Sequence, residues 1–371
     1  MNSNRKPTGQ TTYETRERAG GTTQGRPSQN QPRKKRLRFK PNKEGMLALA
    51  ILVLIVAVII TLVILTIRAI VNAVSSGGEE TSSSTTESTA ELPSVKAWND
   101  GYTQTSVSSS DIASGSLILV NFEQYYSLTD SITRELTSLY GSTGHNSLFV
   151  LRDAEVRIRR DIAAPMRNML TALVEANADT LGTDSSHDRV IISSGYRNTE
   201  KQAELYNDSI GTEDENLVAK PGYSEHHTGY AIDLNVFTVD GKTVEMRENE
   251  QAWLEENCAK YGFVIRYEGS KFEITGILDE PWHFRYVGIP HATYMMENGL
   301  CLEEYLELLK TDYTYPQSPL EISTEDAEYL VYYVPASTDS TTFVPVPPES
   351  VGTYEMSGNN VDGFIVTVTK N

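Results

Sequence analysis

Two short segments of the sequence carry side chains that could bind a metal ion. The first, residues 221–234, contains Ser-x-His-x-x-Gly-x-Ala-x-Asp and places His226 and Asp233 seven positions apart. The second, Glu280-Pro-Trp-His, places His283 three positions after a carboxylate. Two imidazoles and one carboxylate form a ligand set that leaves a fourth position on zinc open for water. We therefore predict a catalytic zinc site with these three ligands, and Glu280 is placed to act as a general base.

The predicted ligands lie on separate elements that the fold must bring together. His226 lies in a glycine-flanked loop, where Gly229 permits a backbone bend that a side chain could oppose. Asp233 lies on the strand predicted for residues 230–236. The distant segment enters through Pro281, which favours an extended or turning backbone at the preceding residue. A loop, a strand and a distant segment must therefore meet at one point.

Hydrophobic periodicity predicts a mixed fold. Apolar residues recur at helical spacing and predict helices over residues 154–178, 199–206, 249–261 and 290–310. Short β-forming runs predict strands over residues 189–193, 230–236, 263–267 and 271–275. A further apolar run at residues 116–121 is either a strand or a buried segment. Because helices and strands neither alternate strictly nor repeat, we predict an α+β fold with a mostly antiparallel sheet flanked by helices.

An uncharged apolar run over residues 46–67 is the predicted membrane anchor. Its 22 residues are long enough to cross a bilayer as one helix. A cleavable signal peptide is the alternative, although the run exceeds a typical signal core and Ala73-Val-Ser is a weak cleavage site. Basic residues cluster just before the run, whereas only Arg68 follows closely. The positive-inside rule then predicts a single-pass cell-membrane protein with a cytoplasmic N-terminus and an extracytoplasmic catalytic domain.

Composition divides the chain into five predicted regions. The stretch after the apolar run has little to bury and is typical of a flexible linker, whereas the last residues contain strand-like runs between turn formers. The regions are a basic, disordered cytoplasmic tail (1–45), a transmembrane helix (46–67), a Ser/Thr-rich linker (68–94), a zinc-binding catalytic domain (95–312) and a small β-rich C-terminal extension (313–371).

The charge distribution argues against nucleic acid as a partner. Residues 1–45 hold 12 Lys or Arg against three Glu, whereas the remainder holds 20 Lys or Arg against 47 Asp or Glu. Phosphate backbones require clustered basic side chains, which an acidic domain does not offer. The basic tail is better suited to membrane phospholipid.

Cys258 and Cys301 are the two cysteines of the sequence, and both lie in the part predicted to be exported. An oxidising exterior permits a disulfide between them, but two cysteines alone do not establish one. Two buried free thiols are the other interpretation. Neither is a predicted zinc ligand, because no second cysteine lies at ligand spacing.

Three motifs extend the metal-binding pattern: Ser194-Gly-Tyr-Arg197, Ser224-Glu-His-His-Thr-Gly-Tyr-Ala-Ile-Asp233 and Glu280-Pro-Trp-His-Phe284. Together they resemble zinc-dependent D-alanyl-D-alanine carboxypeptidases of the VanY type and their dipeptidase relatives, over roughly residues 150–310. The resemblance implies the α+β domain shared with the Hedgehog signalling domain. It also implies the roles of five residues: zinc ligands His226, Asp233 and His283, general acid/base Glu280, and Arg197 as the cation that polarises the scissile carbonyl.

Four further residues are candidates for binding the substrate. The resemblance implies that Ser224 binds the substrate carboxylate, although a hydrogen bond within its loop is an alternative. Gln202 could contact the peptide, but the sequence around it also fits a helix capping box with Thr199 as the cap. Trp282 either walls the pocket or fills the core, and Tyr223 is a candidate pocket wall.

The predicted function is that of a membrane-anchored zinc peptidase that removes the C-terminal D-alanine from peptidoglycan stem peptides. Two alternatives stay open: an L,D-carboxypeptidase acting on tetrapeptide stems, and a non-catalytic, zinc-stabilised module that binds the cell wall. Intact Glu280 and Arg197 favour catalysis, since binding alone requires neither. A serine peptidase is disfavoured because no Ser-x-x-Lys follows the apolar run.

Overall fold

The structure, a computed structural model, describes residues 98–128, 132–140 and 148–371. The predicted cytoplasmic tail, transmembrane helix and linker lie outside the described residues. Within the described ranges, no helix combines the length and the apolar character needed to cross a bilayer.

The described residues contain both strands and helices. In chain order the strands are β1 (Thr103–Ser108), β2 (Leu136–Ser138), β3 (Phe149–Leu151), β4 (Arg157–Arg159), β5 (Arg189–Ser194), β6 (Ala231–Phe237), β7 (Thr243–Val244), β8 (Phe263–Tyr267), β9 (Glu280–Tyr286), β10 (Leu320–Ser323), β11 (Glu328–Pro335), β12 (Thr341–Val346), β13 (Gly352–Gly358) and β14 (Gly363–Lys370). The helices are α1 (Ile132–Glu135), α2 (Ala163–Ala176), α3 (Thr199–Ser209), α4 (Glu248–Asn257), α5 (Phe272–Thr275), α6 (Ile289–Asn298) and α7 (Leu302–Asp312). Short 3₁₀ turns lie at Ser109–Ala113, Glu225–Thr228, Cys258–Tyr261 and Gly269–Lys271.

A central sheet carries both segments in which metal ligands are predicted. Its strand order is β3-β5-β6-β9-β8, and β7 pairs with the end of β6. Strands β3 and β5 run parallel, whereas the other pairs of this sheet are antiparallel. The prediction of an α+β fold with a mostly antiparallel sheet is therefore confirmed.

Helix α2 covers the central sheet and buries strand β6. Ile232 and Leu234 of β6 are fully buried in one hydrophobic cluster with Met169 and Leu173 of α2. The apolar residues of α2 recur at spacings of three and four, as they do on the core-facing side of an amphipathic helix. Burying a large aliphatic side chain stabilises a fold by about 1.5–3 kcal/mol. This packing therefore fixes the strand that leads to the predicted ligands.

Two predicted elements differ from those observed. The helix predicted over residues 154–178 begins only at Ala163, because Arg157–Arg159 form β4 and pair with β2. The strand predicted over residues 271–275 is the short helix α5. This helix closes at Gly276, whose φ of +72° lies in the left-handed region that ends helices.

Two other apolar runs also differ from simple elements. The helix predicted over residues 290–310 is interrupted at Gly299, with a φ of +60°, and forms α6 and α7. Residues 116–121 form no strand, and the buried-segment interpretation holds. Their backbone groups bond to the side chains of Arg285, Ser357 and Asn360, and Leu119 N–H donates to the backbone oxygen of Asn359.

A second sheet lies in the C-terminal part of the chain. Its strand order is β10-β11-β14-β13, and all of its pairs are antiparallel. Strand β1, from the start of the described residues, pairs with β12. Helices α6 and α7 pack against the second sheet through a cluster that includes Met295, Leu309, Val331 and Ile365.

Cys258 and Cys301 are both free and buried. The interpretation as buried thiols is therefore confirmed, and the disulfide alternative is wrong. Burial raises the pKa of both thiols to about 12, so neither is a thiolate at neutral pH.

His291 joins α6 to α7 and to the second sheet. Its Nδ1 lies 2.8 Å from the hydroxyl of Tyr305, and its Nε2 lies 2.9 Å from the hydroxyl of Thr367. Burial lowers the pKa of His291 to about 3, whereas an unfolded histidine titrates near pH ~6.5. On acidification, His291 therefore gains a proton in the unfolded chain at a pH where it is still neutral in the folded chain.

We expect His291→Gln to weaken the dependence of stability on pH. Between pH ~6.5 and the pKa of His291 in the folded chain, His291 is protonated in the unfolded chain and neutral in the folded one. The free energy of unfolding therefore falls by up to about 1.4 kcal/mol for each unit that the pH falls. Urea unfolding at pH 7, 6 and 5 measures this slope in the variant and in the unaltered chain. His187→Gln, at an exposed histidine, is the control; equal slopes in all three proteins would contradict the assignment.

Candidate metal centre

Two neighbouring strands and the turn before them position the predicted metal ligands. Strands β6 and β9 pair antiparallel, with Asp233 directly opposite His283. The turn Glu225–Thr228 contains His226 and ends at Gly229, whose φ of +73° lies in the left-handed region. Glycine adopts that conformation without steric cost. The chain can therefore turn sharply between the first ligand and the strand that carries the second.

The three predicted ligands converge at one point. His226 Nε2 lies 3.3 Å from Asp233 Oδ2, and His283 Nδ1 lies 3.1 Å from Asp233 Oδ1. One ligand-type atom from each side chain lies within 4.8 Å of the others, and all three residues are buried. Despite its proximity to the imidazole, Asp233 Oδ1 has no hydrogen-bond partner among the described residues. A buried carboxylate oxygen without a donor is costly, and this ligand set therefore fits a bound cation.

Each imidazole is oriented by its second ring nitrogen. His226 Nδ1 lies 2.7 Å from the carbonyl oxygen of Gly195. Because a carbonyl oxygen only accepts hydrogen bonds, Nδ1 carries the proton and Nε2 is left with its lone pair. His283 Nε2 lies 3.3 Å from Glu225 Oε2. Such outer partners are typical of histidines that bind metal ions.

Burial and neighbouring charges shift the pKa values of the three ligands. Burial lowers the pKa of His226 to about 4, and Arg197 adds to this effect. Burial also lowers the pKa of His283, but the neighbouring carboxylates of Asp233 and Glu225 outweigh burial and raise the pKa to about 9. Burial would raise the pKa of Asp233, yet the two histidines hold it well below its ordinary value. A metal cation would compete with the proton on His283.

Glu280 begins β9 and lies beside the three ligands. Its Oε2 lies 3.5 Å from His283 Nδ1, and its side chain is 8% exposed. Burial raises the pKa of Glu280 to about 8, although the charge of His283 opposes the shift. A carboxyl group whose pKa lies near neutrality is suited to both accept and donate a proton.

Arg197 holds a fixed positive charge at the same place. Its guanidinium donates to Ser194 Oγ at 2.9 Å, to Gln202 Oε1 at 3.2 Å and to Asp233 Oδ2 at 3.0 Å. The structure therefore brings both predicted catalytic residues, Arg197 and Glu280, to the predicted ligands.

One cleft opens onto these groups. Three of the four predicted substrate-binding residues line it: Ser224, Gln202 and Trp282. Tyr223 is not among the lining residues. Its ring packs against Tyr125, with 5.5 Å between the ring centroids.

The predicted capping role of Thr199 is wrong. Helix α3 is capped by Asn198, whose side chain accepts a backbone N–H of the first turn. Gln202 is fully buried, accepts a hydrogen bond from Arg197 and donates one to the carbonyl of Ala219 at 2.7 Å. It therefore fixes the arginine to the wall of the cleft.

Sequence analysis assigns no catalytic, metal-binding or substrate-binding role to three residues of this region. Glu225 is fully buried and contacts His283. Tyr267 lines the cleft, and its ring centroid lies 4.8 Å from that of His283. His227 is buried, and its Nδ1 lies 2.8 Å from the backbone oxygen of Arg197. Position was the available signal for Glu225 and His227, since both lie in the motif next to the first ligand.

Two imidazoles and a carboxylate, with a second carboxylate and a fixed cation in the same cleft, are typical of metal-dependent hydrolases. The family model for VanY, D-alanyl-D-alanine carboxypeptidase, matches residues 156–289. A D-alanyl-D-alanine carboxypeptidase from Enterococcus faecium is 34% identical over 265 residues, which are 71% of this chain and 78% of that protein. The chain therefore belongs to the VanY family of D-alanyl-D-alanine carboxypeptidases.

Further similar proteins agree with this assignment. A D-alanyl-D-alanine carboxypeptidase from Enterococcus faecalis is 45% identical over 134 residues, which are 32% of this chain and 48% of that protein. Among solved structures, the vancomycin-resistance D,D-dipeptidase VanXYg, in complex with a D-Ala-D-Ala phosphinate analogue, has a TM-score of 0.60 at 32% identity. That likeness covers 72% of this chain and 99% of the dipeptidase.

We expect Zn²⁺ to stabilise the metal-free chain through the three converging ligands. A ligand that binds only the folded state at 100 times its Kd adds about 2.7 kcal/mol of stability. Thermal unfolding with and without Zn²⁺ measures the rise in Tm. His226→Ala should abolish the rise, whereas His187→Ala, at an exposed histidine, should keep it; an undiminished rise in the His226 variant would place the ion elsewhere.

Proposed function

We propose that this chain is a zinc-dependent D,D-carboxypeptidase that removes the C-terminal D-alanine from peptidoglycan stem peptides. The observation that carries the proposal is the convergence of His226, Asp233 and His283 with Glu280 and Arg197 in one cleft. Membership of the VanY family supports the substrate class.

His226, Asp233 and His283 would hold the zinc ion. The unpartnered Oδ1 of Asp233 and the lone pair on Nε2 of His226 support this ligand set. A bound zinc ion would acidify a water molecule and polarise the scissile carbonyl.

Glu280 is the proposed general acid and base. Its buried carboxyl group, with a pKa near neutrality, would take a proton from the attacking water and return it to the departing amine of D-alanine. Burial also keeps this carboxylate from being fully hydrated, which strengthens its interaction with a proton.

Arg197 is the proposed partner of the oxygen that becomes negatively charged. Its three hydrogen bonds hold the guanidinium in place before the substrate arrives. A donor that is already oriented needs no reorganisation as charge develops. Gln202 is the proposed support of this arrangement, because it accepts from Arg197 within the wall of the cleft.

Ser224 and Trp282 are the proposed contacts to the end of the substrate peptide. Ser224 is buried and lines the cleft beside the ligands, where its hydroxyl would bind the terminal carboxylate. Trp282 lines the same cleft and would enclose the terminal alanine.

Membrane delivery is part of the proposal. The apolar run at residues 46–67, with basic residues before it, would hold the catalytic domain on the extracytoplasmic side of the cell membrane. Peptidoglycan lies on that side, so the anchored enzyme would meet its substrate there.

Incubation with two muropeptides tests the reaction. We expect the purified, zinc-loaded full chain to release one alanine from a stem pentapeptide and to leave a tetrapeptide intact, as followed by mass spectrometry. Glu280→Gln should lower the rate of alanine release by about 10²–10⁴-fold. Glu273→Gln, at an exposed carboxylate, should release alanine at the rate of the unaltered chain. Release from the tetrapeptide alone would establish an L,D-carboxypeptidase, and cleavage of neither would favour a binding module.

Arg197→Ala should reduce kcat more than it raises KM. Loss of one oxyanion partner costs about 10²–10³-fold in kcat, since the interaction strengthens only as charge develops. Steady-state kinetics on the pentapeptide measure both constants after the zinc content of the variant has been matched. Arg152→Ala, at an exposed arginine, is the control; a rise in KM with unchanged kcat would assign Arg197 to ground-state binding.

A further inference from the structure

Glu225 lies beside the predicted metal ligands and has no role in the mechanism proposed above. Its carboxylate is fully buried and divides its two oxygens between different partners. Oε1 accepts from Arg266 Nε at 2.7 Å and from Arg285 Nη1 at 2.8 Å. Oε2 lies 3.3 Å from His283 Nε2.

The two arginines are themselves immobilised. Both side chains are fully buried. Arg266 Nη2 donates to Glu303 Oε1 at 2.8 Å, and Arg285 Nη2 donates to the carbonyl oxygens of Ser116 and Ile118 at 2.8 and 2.9 Å. Partners from α7 and from the segment before β2 therefore hold the guanidiniums in place.

These contacts leave the Glu225 carboxylate a single orientation. A guanidinium offers only donors, so Oε1 must face the arginines as an acceptor. Oε2 is then directed at the imidazole of His283. Oε2 therefore faces His283 Nε2 as an acceptor, 3.3 Å away.

We propose that Glu225 is a positioning residue that fixes the tautomer of His283. By accepting a hydrogen bond from Nε2–H, it leaves Nδ1, which lies 3.1 Å from Asp233 Oδ1, as the nitrogen that would bind the cation. This inference rests on the proposed zinc site, and it assigns to Glu225 a role that acts through the ligand and not on the substrate.

The isosteric variant Glu225→Gln discriminates sharply because glutamine has only one acceptor oxygen. Both arginines would donate to that oxygen. The amide NH₂ of the glutamine would then face His283 Nε2. An NH₂ group donates, so Nε2 would have to accept and the imidazole proton would move to Nδ1. A protonated Nδ1 is not a metal ligand.

We expect Glu225→Gln to lower the affinity of the full chain for Zn²⁺ by about 10–100-fold, the range found when such outer partners are removed. Competition with a chelator of known affinity measures the constant. The matched control is Glu303→Gln, which removes a carboxylate from the same arginine network, where it accepts from Arg266 and Asn121. It should retain the affinity within about threefold even if it lowers stability.

An affinity of Glu225→Gln within threefold of the unaltered chain would overturn the proposal, as would an equal loss in Glu303→Gln. The ¹⁵N chemical shifts of His283 in the zinc-loaded, unaltered chain give a test that does not depend on the folding of any variant. They should show a protonated Nε2 and a metal-bound Nδ1. Any other assignment of the two nitrogens rejects the role of Glu225.

These readouts are independent of peptide cleavage. A chain that binds Zn²⁺ as described and releases no alanine would reject the proposed carboxypeptidase function and leave the role of Glu225 standing. If the unaltered chain releases alanine and Glu225→Gln keeps full zinc affinity, the carboxypeptidase function stands and the role of Glu225 is rejected.

Discussion

The antiparallel register of β6 and β9 is the constraint on which the metal centre depends. It places Asp233 opposite His283, and side chains directly opposite each other in such a pair lie on the same face of the sheet. A slip of one residue would turn one of them to the other face. Strands β5 and β8 flank the pair, so the register is held from both sides before any ion binds.

Burying charge behind the site is costly, and the fold offsets that cost with a closed set of ion pairs. Arg266 and Arg285 are fully buried but share Glu225, and Arg266 also reaches Glu303. Isolated buried charges would destabilise the core by several kcal/mol each, whereas paired and hydrogen-bonded ones are tolerated. The sheet determines the positions of the predicted ligands, and the ion-pair network determines the charges that surround Glu225 next to His283. Arg285 lies on β9 with His283, and Arg266 lies on the neighbouring β8, so the strands that position the ligands also carry the charges behind them.

Local spacing predicted the metal centre better than it predicted the elements around it. The ligand types and their spacing suffice to predict His226, Asp233 and His283 as one group, since zinc accepts few donor sets. The capping box at Thr199 and Gln202 was predicted wrongly, because the local sequence fits a capping signature and only the tertiary fold reveals the contact between Gln202 and Arg197. Local sequence carries little information about such pairings between distant segments.

The same limit applies to secondary structure. Strands β5, β6 and β8 were predicted close to their observed bounds, because β-branched runs have few alternatives, whereas β3 and β9 were not predicted as strands. Residues 271–275 were predicted as a strand, but a single helical turn closed by Gly276 satisfies the backbone there. Residues 116–121 are apolar enough for a strand, yet Arg285 and Ser357 supply their hydrogen bonds. At residues 271–275 a local turn replaces the predicted strand, and at residues 116–121 tertiary partners outweigh local propensity.

The pairing of β1 with β12 determines where mechanical load enters the domain. Strand β1 begins at Thr103, shortly after the predicted linker, and in the described part of the chain it pairs with β12 alone. Tension on the chain ahead of β1 is therefore borne first by the packing of Trp98 against Tyr315 and Tyr332 and then by this two-stranded ladder. The strands that carry the metal ligands belong to a different sheet, so a pull on the tether can strain or even peel away β1 before any force reaches them.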